Sequence, residues 1–219
     1  MSSHDHAGHG QGHGHQQDRG LRGFARYMKM LPKMWRSPVS REVIRDVAPQ
    51  RGELVVDVGA GMGPATILAA KTGASVLAVD PTPYMRRILL FRRLGQRRRA
   101  AIRVADGSAE SIPADDHGVD ALWTVNTMHH WTDMDEAVHE LSRVLRPGGR
   151  LLLVDEDFDD PEHPAYLHMQ MRSAHRAHHF AEIDPAAVAA KLAAAGFANA
   201  EGSMGSMAVR PVKLVRATR

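Results

Sequence analysis

The sequence predicts an α/β fold in which a doubly wound, mostly parallel sheet carries helices on both faces. Three observations lead there. From residue 53 onward, short apolar runs alternate with stretches of helical length, and strands separated by such helices pair in parallel. The first run, 54–58, breaks at a bend rich in glycine, with Gly59, Gly61 and Gly63. An aspartate, Asp80, closes the second run. In open sheets of this kind ligands settle at the carboxyl ends of the strands, where the strand order reverses.

The elements follow in order. Residues 1–20 are a separate zone in which His4, His6, His9, His13 and His15 alternate with Gly, Gln and Asp. With almost nothing to bury, this zone reads as a disordered tail. Residues 21–50 carry helical patterning broken near Pro32 and Pro38. Val43, Ile44 and Val47 share one face of a helix over about 40–47, while Met28, Met30, Met34 and Trp35 add a soft apolar surface.

Residues 51–156 hold the alternating core. Strands are expected over 54–58, 75–79, 101–105, 119–125 and 151–154, with helices over about 65–71, 83–94 and 134–145. Arg146-Pro147-Gly148-Gly149 is a turn signal ahead of the fifth strand. Residues 157–184 form an acidic, His-rich insertion expected to serve as a substrate lid. An Ala-rich helix over 185–195 ends at Gly196, and two further strands follow near 197–204 and 207–217. Pro211 is awkward in the last of these, because proline cannot donate to a ladder.

Bulk properties narrow the function. A chain of 219 residues, 43% apolar and 24% charged, suits one domain with a substantial core. The absence of cysteine excludes disulfides, thiolate metal sites and a thiol nucleophile. No apolar run approaches the ~18 residues of a membrane span, and the first residues lack the apolar segment of a signal peptide. A cytoplasmic enzyme without a membrane partner is therefore expected. The formal net charge is a modest +3, yet Arg86, Arg87, Arg92, Arg93, Arg97, Arg98 and Arg99 crowd together. This stripe reads as the solvated face and end of a helix, where cations suit the C-terminal dipole, and nucleic acid is not expected as a partner.

Glycines at 59, 61 and 63 let the backbone turn tightly and approach a ligand, and the next helix aims its first amides at the same place. A nicotinamide fingerprint would need glycine or alanine at position 64, which is Pro64. Asp57, two positions before the first glycine, would repel a pyrophosphate and favours a cationic ammonium. Asp80, 17 residues after Gly63, is placed to accept ribose hydroxyls. This charge pattern favours S-adenosyl-L-methionine over a dinucleotide.

At this point the sequence resembles the class I S-adenosylmethionine-dependent methyltransferases, in particular their compact small-molecule subgroup of methyltransferase type 11. The resemblance covers about residues 50–156. Asp57-Val58-Gly59-Ala60-Gly61-Met62-Gly63 matches the first motif and Val79-Asp80-Pro81 the second. Gly107-Ser108-Ala109-Glu110-Ser111-Ile112-Pro113 resembles the loop that holds the adenine, and Asn126-Thr127-Met128-His129-His130-Trp131 the segment beside the transferred methyl. Leu145-Arg146-Pro147-Gly148-Gly149 matches the turn before the fifth strand.

The resemblance implies a Rossmann-like sheet of seven strands in the order 3-2-1-4-5-7-6, with the seventh antiparallel. It implies S-adenosyl-L-methionine as cofactor, held by Asp57, Gly59, Ala60, Gly61, Gly63, Asp80, Pro81, Ser108, Ala109 and Asn126. Ser108 stands where the family often has an aspartate reaching the adenine amine; Asp106 or backbone groups at Ala109 are the alternatives.

Methyl transfer from a sulfonium asks the protein chiefly to align a nucleophile for in-line displacement. Where that nucleophile carries a proton a base helps, and His129 and His130, just past the fourth strand, are the candidates. Trp131 reads as packing. Beyond the fifth strand Asp155, Glu156, Asp157, Asp159 and Asp160 precede His163, His168, His175, His178 and His179. His175 and His179 have the i, i+4 spacing of a metal pair but no evident third ligand, and no metal is predicted. The function read from the sequence is methyl transfer to a small-molecule acceptor. Its alternatives are an RNA or protein methyltransferase docking through the arginine stripe, and a non-catalytic module that binds S-adenosylmethionine.

Overall fold

Residues 37–167 and 182–219 are described by the structure, a computed structural model. The His-rich tail, the stretch bearing Met28 to Trp35, and His168, His175, His178 and His179 lie outside the described residues. Seven strands form one sheet: β1 (Leu54–Val58), β2 (Ser75–Val79), β3 (Ile102–Ala105), β4 (Val119–Val125), β5 (Leu145–Glu156), β6 (Ala198–Met207) and β7 (Arg210–Thr218). Their order is β3-β2-β1-β4-β5-β7-β6. β1 to β5 pair in parallel, and β7 runs antiparallel between β5 and β6. This is the order the resemblance implies.

Among the described residues, five α-helices accompany the strands: α1 (Pro38–Val47), α2 (Pro64–Thr72), α3 (Pro83–Leu94), α4 (Met134–Val144) and α5 (Pro185–Ala194). All but α4 start on a proline, whose missing N–H falls where no intrahelical partner exists. Ser37, Asp133 and Asp184 cap α1, α4 and α5 through their side chains.

Strand alternation sorts the core onto the two faces of the sheet. Val56, Val58, Leu122, Leu151 and Leu153 pack with Leu141 of α4 and Leu192 of α5. Val55, Ala121, Trp123, Leu152 and Val154 pack with Val43 of α1 and Ile67 of α2. Trp131 rests against the first of these clusters, as its packing role requires.

The structure departs from the sequence reading in two places. The 146–149 turn is an excursion inside β5: Val119 pairs with Leu145, and the register resumes with Ala121 and Arg150. It needs glycine at 148, where φ is +76°, and the Gly148 N–H donates to the Arg219 carbonyl at 2.6 Å. The arginine stripe is also no simple solvated face. Arg92 is 6% exposed and donates to the Met62 carbonyl, and burial draws its pKa down to about 10. Arg93 donates to the Ile102 carbonyl at 2.8 Å and Arg98 to that of Gly73 at 3.1 Å. The outward side of α3 instead presents Leu90, Phe91 and Leu94. As for Pro211, it pairs with Ser206 one residue inside β7 and uses only its carbonyl, which accepts the Asp157 N–H at 2.9 Å. Among the described residues, no helix is long and apolar enough to cross a membrane.

Candidate active site

The carboxyl ends of β1, β2, β4 and β5 gather most of the residues singled out from the sequence. Gly59, Gly61 and Gly63 all have positive φ, at +68°, +52° and +74°, in the left-handed region that favours glycine. Their surroundings differ. A Cβ on Gly59 would overlap the Thr127 methyl, and one on Gly63 would overlap a Leu89 methyl. A Cβ on Gly61 would meet nothing nearer than 4.0 Å. Gly59 and Gly63 thus let neighbouring elements close in, while Gly61 borders open space. Ala60 is buried, and its N–H donates to the Val79 carbonyl at 3.0 Å, stitching the bend to the end of β2.

Asp80 completes that stitch. Its Oδ2 accepts the Gly61 N–H at 2.7 Å and its Oδ1 the Thr82 N–H at 2.8 Å. Each oxygen keeps acceptor capacity, since a carboxylate offers about four lone-pair sites. Burial pushes its pKa upward, opposed by the Thr82 and Gly61 N–H groups and by Arg86. Arg86 donates to the Asp80 carbonyl and to Asp106 Oδ1, both at 2.7 Å. Pro81 is exposed beside this acid.

Asp57 has a partner other than the one assigned from sequence. Its side chain turns under the bend, and its Oδ2 accepts the Thr66 hydroxyl at 2.5 Å. The Thr66 N–H, in the first turn of α2, also bonds to it. Asp57 is 2% exposed, and burial pushes its carboxyl up to about 7 against the Thr66 hydrogen bonds. The acid therefore supports the N-terminus of α2 from beneath, and any influence on an ammonium acts as charge through the bend.

The 107–113 loop folds back on itself, with Ser108 and Ser111 exchanging backbone hydrogen bonds at 3.1 and 3.3 Å. Ala109 is buried in the core. Glu110 Oε1 accepts the Thr132 N–H at 2.7 Å and the Thr132 hydroxyl at 3.0 Å, joining this loop to the one after β4. Although burial opposes its charge, bonds from Ser108 and Thr132 hold Glu110 below the usual carboxylate range. Asp106 points its carboxylate to Arg86 and is largely exposed.

Register brings β4 and β5 together at the remaining corner. Val125 pairs with Val154, so the next residues, Asn126 and Asp155, share the rim. Asp155 is buried and gathers four donors: the N–H groups of Thr127 at 2.8 Å, Met128 at 3.2 Å and His129 at 3.2 Å, and His129 Nδ1 at 2.6 Å. With Nδ1 donating to the carboxylate, the proton-accepting nitrogen of His129 is Nε2. The His130 ring is exposed, its centroid 4.0 Å from that of His129.

Asn126 has a φ of +59°. Its Oδ1 accepts the Glu156 N–H at 2.7 Å and its Nδ2 donates to Glu156 Oε1 at 2.9 Å. Glu156 Oε2 accepts in turn from His163 Nε2 at 2.9 Å and Arg210 Nη1 at 2.6 Å. Burial works against the Glu156 charge, but the bonds from Asn126, His163 and Arg210 hold its pKa low.

Sequence reasoning gave no role to Thr66, and it named Glu110, Asp155 and Glu156 only as members of a loop motif or of an acidic run. The strand order held the signal for Asp155, because neighbouring parallel strands bring β4 and β5 ends to one corner. Thr66 and Glu110 had no such signal. Among the described residues, no group of three His, Asp or Glu side chains is arranged to hold a metal ion.

Residues 56–153 match the methyltransferase domain family. An uncharacterized methyltransferase of Mycobacterium tuberculosis is 42% identical over 116 residues, 52% of this chain and 44% of that protein. A ubiquinone/menaquinone biosynthesis C-methyltransferase of Rubrivivax gelatinosus is 35% identical over 126 residues, 57% of this chain and 46% of that one. The chain thus spans less than half the length of these relatives. Among solved structures, a SAM-dependent methyltransferase from Aquifex aeolicus superimposes with a TM-score of 0.63 at 20% identity, over 82% of this chain and 88% of its own. Residues 56–153 are thus similar to the methyltransferase domain family, and the sheet shares its fold with that solved methyltransferase.

Proposed function

We propose that this chain is a methyltransferase that moves a methyl group from S-adenosyl-L-methionine to a small-molecule acceptor, with His129 as general base. The observation that carries the reading is the bond from the Gly61 N–H to Asp80 Oδ2, which joins the glycine bend to a buried acid beside open space. Both halves fit the cofactor. The region in front of Gly61 is clear of side chains, and Asp80 retains lone pairs for ribose hydroxyls. Gly59, Ala60 and Gly63 give the bend its shape, Asp57 adds a buried charge beneath it, and Pro81, Ser108 and Ala109 flank the adenine. Asn126 braces the floor below the methyl group.

The bound cofactor supplies a methyl group made electrophilic by a positive sulfur. Everything else falls to this chain. Asp155 fixes the His129 ring so that Nε2 takes the proton that the acceptor loses as its new bond to carbon forms. His130, at the rim, borders the acceptor. A small-molecule acceptor accords with the Rubrivivax relative, whose name places it in quinone biosynthesis.

The test is a thermal-shift measurement with S-adenosylmethionine and S-adenosylhomocysteine, followed by transfer of labelled methyl into a metabolite extract. Stabilisation by both ligands with label in a small product supports the reading. Stabilisation without transfer would make the chain a binding module, and label in RNA or protein would make the acceptor a polymer.

A further inference from the structure

The α3 helix is turned inside out. Arg92, a cation, is 6% exposed, whereas Phe91 beside it is 72% exposed, with Leu90 at 41% and Leu94 at 61%. At 100° per residue, Arg87, Leu90, Phe91 and Leu94 share a single outward stripe. Large exposed apolar side chains are few among the described residues, namely Leu90, Phe91, Leu94, Leu167, Met204 and Val209. Half of them sit on this stripe. The segment is strongly basic: residues 81–105 contain eight arginines and no aspartate or glutamate, and the next acid, Asp106, is paired with Arg86. Arg87 lies on the stripe itself, and Arg97 and Arg99 are exposed just past the end of the helix.

We propose that the outward face of α3 docks onto an anionic lipid surface, with Leu90, Phe91 and Leu94 entering the headgroup boundary while Arg87, Arg97 and Arg99 meet lipid phosphates. Apolar side chains ringed by guanidinium groups on a helix about 18 Å long match the chemistry of a charged bilayer interface. Each cation near such a surface adds attraction that fades within a Debye length. A single-stranded nucleic acid would satisfy the arginines but draws on several stacking rings, and this stripe offers only Phe91 and two aliphatic chains. The proposal departs from the expectation of no membrane partner. The sequence shows the arginines, but only the fold shows that Phe91 points out while Arg92 points in.

Co-sedimentation of the full chain with vesicles tests it. Expected is binding to phosphatidylcholine vesicles containing a third phosphatidylglycerol, at least tenfold weaker binding to pure phosphatidylcholine, and loss of binding in high salt. Two variants read the two halves of the surface: Phe91→Ser with Leu94→Ser, and Arg87→Gln with Arg97→Gln and Arg99→Gln. Each lowers the bound fraction at least tenfold while the lipid-free melting temperature stays within a degree or two. Absent binding, or equal binding to neutral vesicles, overturns the proposal. So does an apolar variant that binds anionic vesicles and RNA as well as the parent does, which would mark a polyanion site. A lipid-free dimer abolished by Phe91→Ser, or a large fall in melting temperature, overturns it too, since the face would then be covered by a second copy or by residues 1–36.

Discussion

His129 Nδ1 lies 2.6 Å from Asp155 Oδ2, and the same carboxylate receives the N–H groups of Thr127, Met128 and His129. One buried acid on β5 therefore sets both the loop after β4 and the orientation of its imidazole. Asp155→Asn keeps an oxygen for the backbone donors but offers His129 an amide in place of an acceptor. Methyl transfer is expected to fall roughly a hundredfold or more, with cofactor affinity within twofold of the parent. His129→Gln should cost about as much, and the double variant little beyond either, as for groups acting together. Turnover of labelled donor across a pH series measures this. Independent, additive losses would show that the two residues act separately.

Asp80→Ala removes the acceptor of the Gly61 N–H as well as the proposed ribose ligand. Affinity for S-adenosylhomocysteine should drop at least tenfold, about 1.4 kcal/mol, by calorimetry. Asp80→Asn, which keeps one acceptor, should lose less.

The three glycines of the bend are separable. Gly59→Ala and Gly63→Ala force a methyl into Thr127 or Leu89 at positive φ, and overpacking of this kind costs about 1–3 kcal/mol. Adding Thr127→Ala should restore part of the Gly59→Ala loss and none of the Gly63→Ala loss. Gly61→Ala meets no neighbour within 4.0 Å, so it should melt closer to the parent while binding cofactor poorly. Chemical denaturation and calorimetry on the set give both numbers.

Asp57 makes stability depend on pH in an unusual direction. Burial raises its pKa from 3.8 to about 7, so the folded state holds a proton that the unfolded state has already released. Its stabilising contribution is complete below about pH 4 and is lost as pH climbs through 7. Asp57→Asn should flatten the melting temperature between those limits. A nearby ammonium favours the ionised acid, so cofactor binding should tighten from pH 6 to 8 in the parent and not in the variant. An identical pH slope in both would assign the dependence to another group.

Much of this architecture was legible beforehand because periodicity and glycine placement are local signals. The 119–125 strand and the 83–94 helix were readable to the residue, as was the bend at Gly59. The 210–218 strand accommodates Pro211 because it stands one residue inside the strand's start, where its carbonyl still accepts the Asp157 N–H. What escaped was whatever depends on two distant segments. Nothing near Thr66 announces that it will receive Asp57, and Glu110 meets Thr132 only once two loops converge. The same holds for α3, where helical spacing gives the stripe but only the packed sheet decides which side faces inward. At the site, the sequence shows which residues lie at the strand ends but not which hydrogen-bond partners they take. Asp57, assigned from sequence to the cofactor, takes hydrogen bonds from Thr66 in α2, the helix that follows its strand.

The four-way knot at Glu156 has a consequence for traffic through the cleft. Asn126, Arg210 and the fully enclosed imidazole of His163 all converge on one carboxylate, while His163 Nδ1 accepts the Ala165 N–H at 3.0 Å. The wall of the cleft is riveted to the sheet as far as that histidine. To open a passage at this wall would mean breaking all of these bonds together, so the stretch from Glu156 to His163 serves as a fixed boundary.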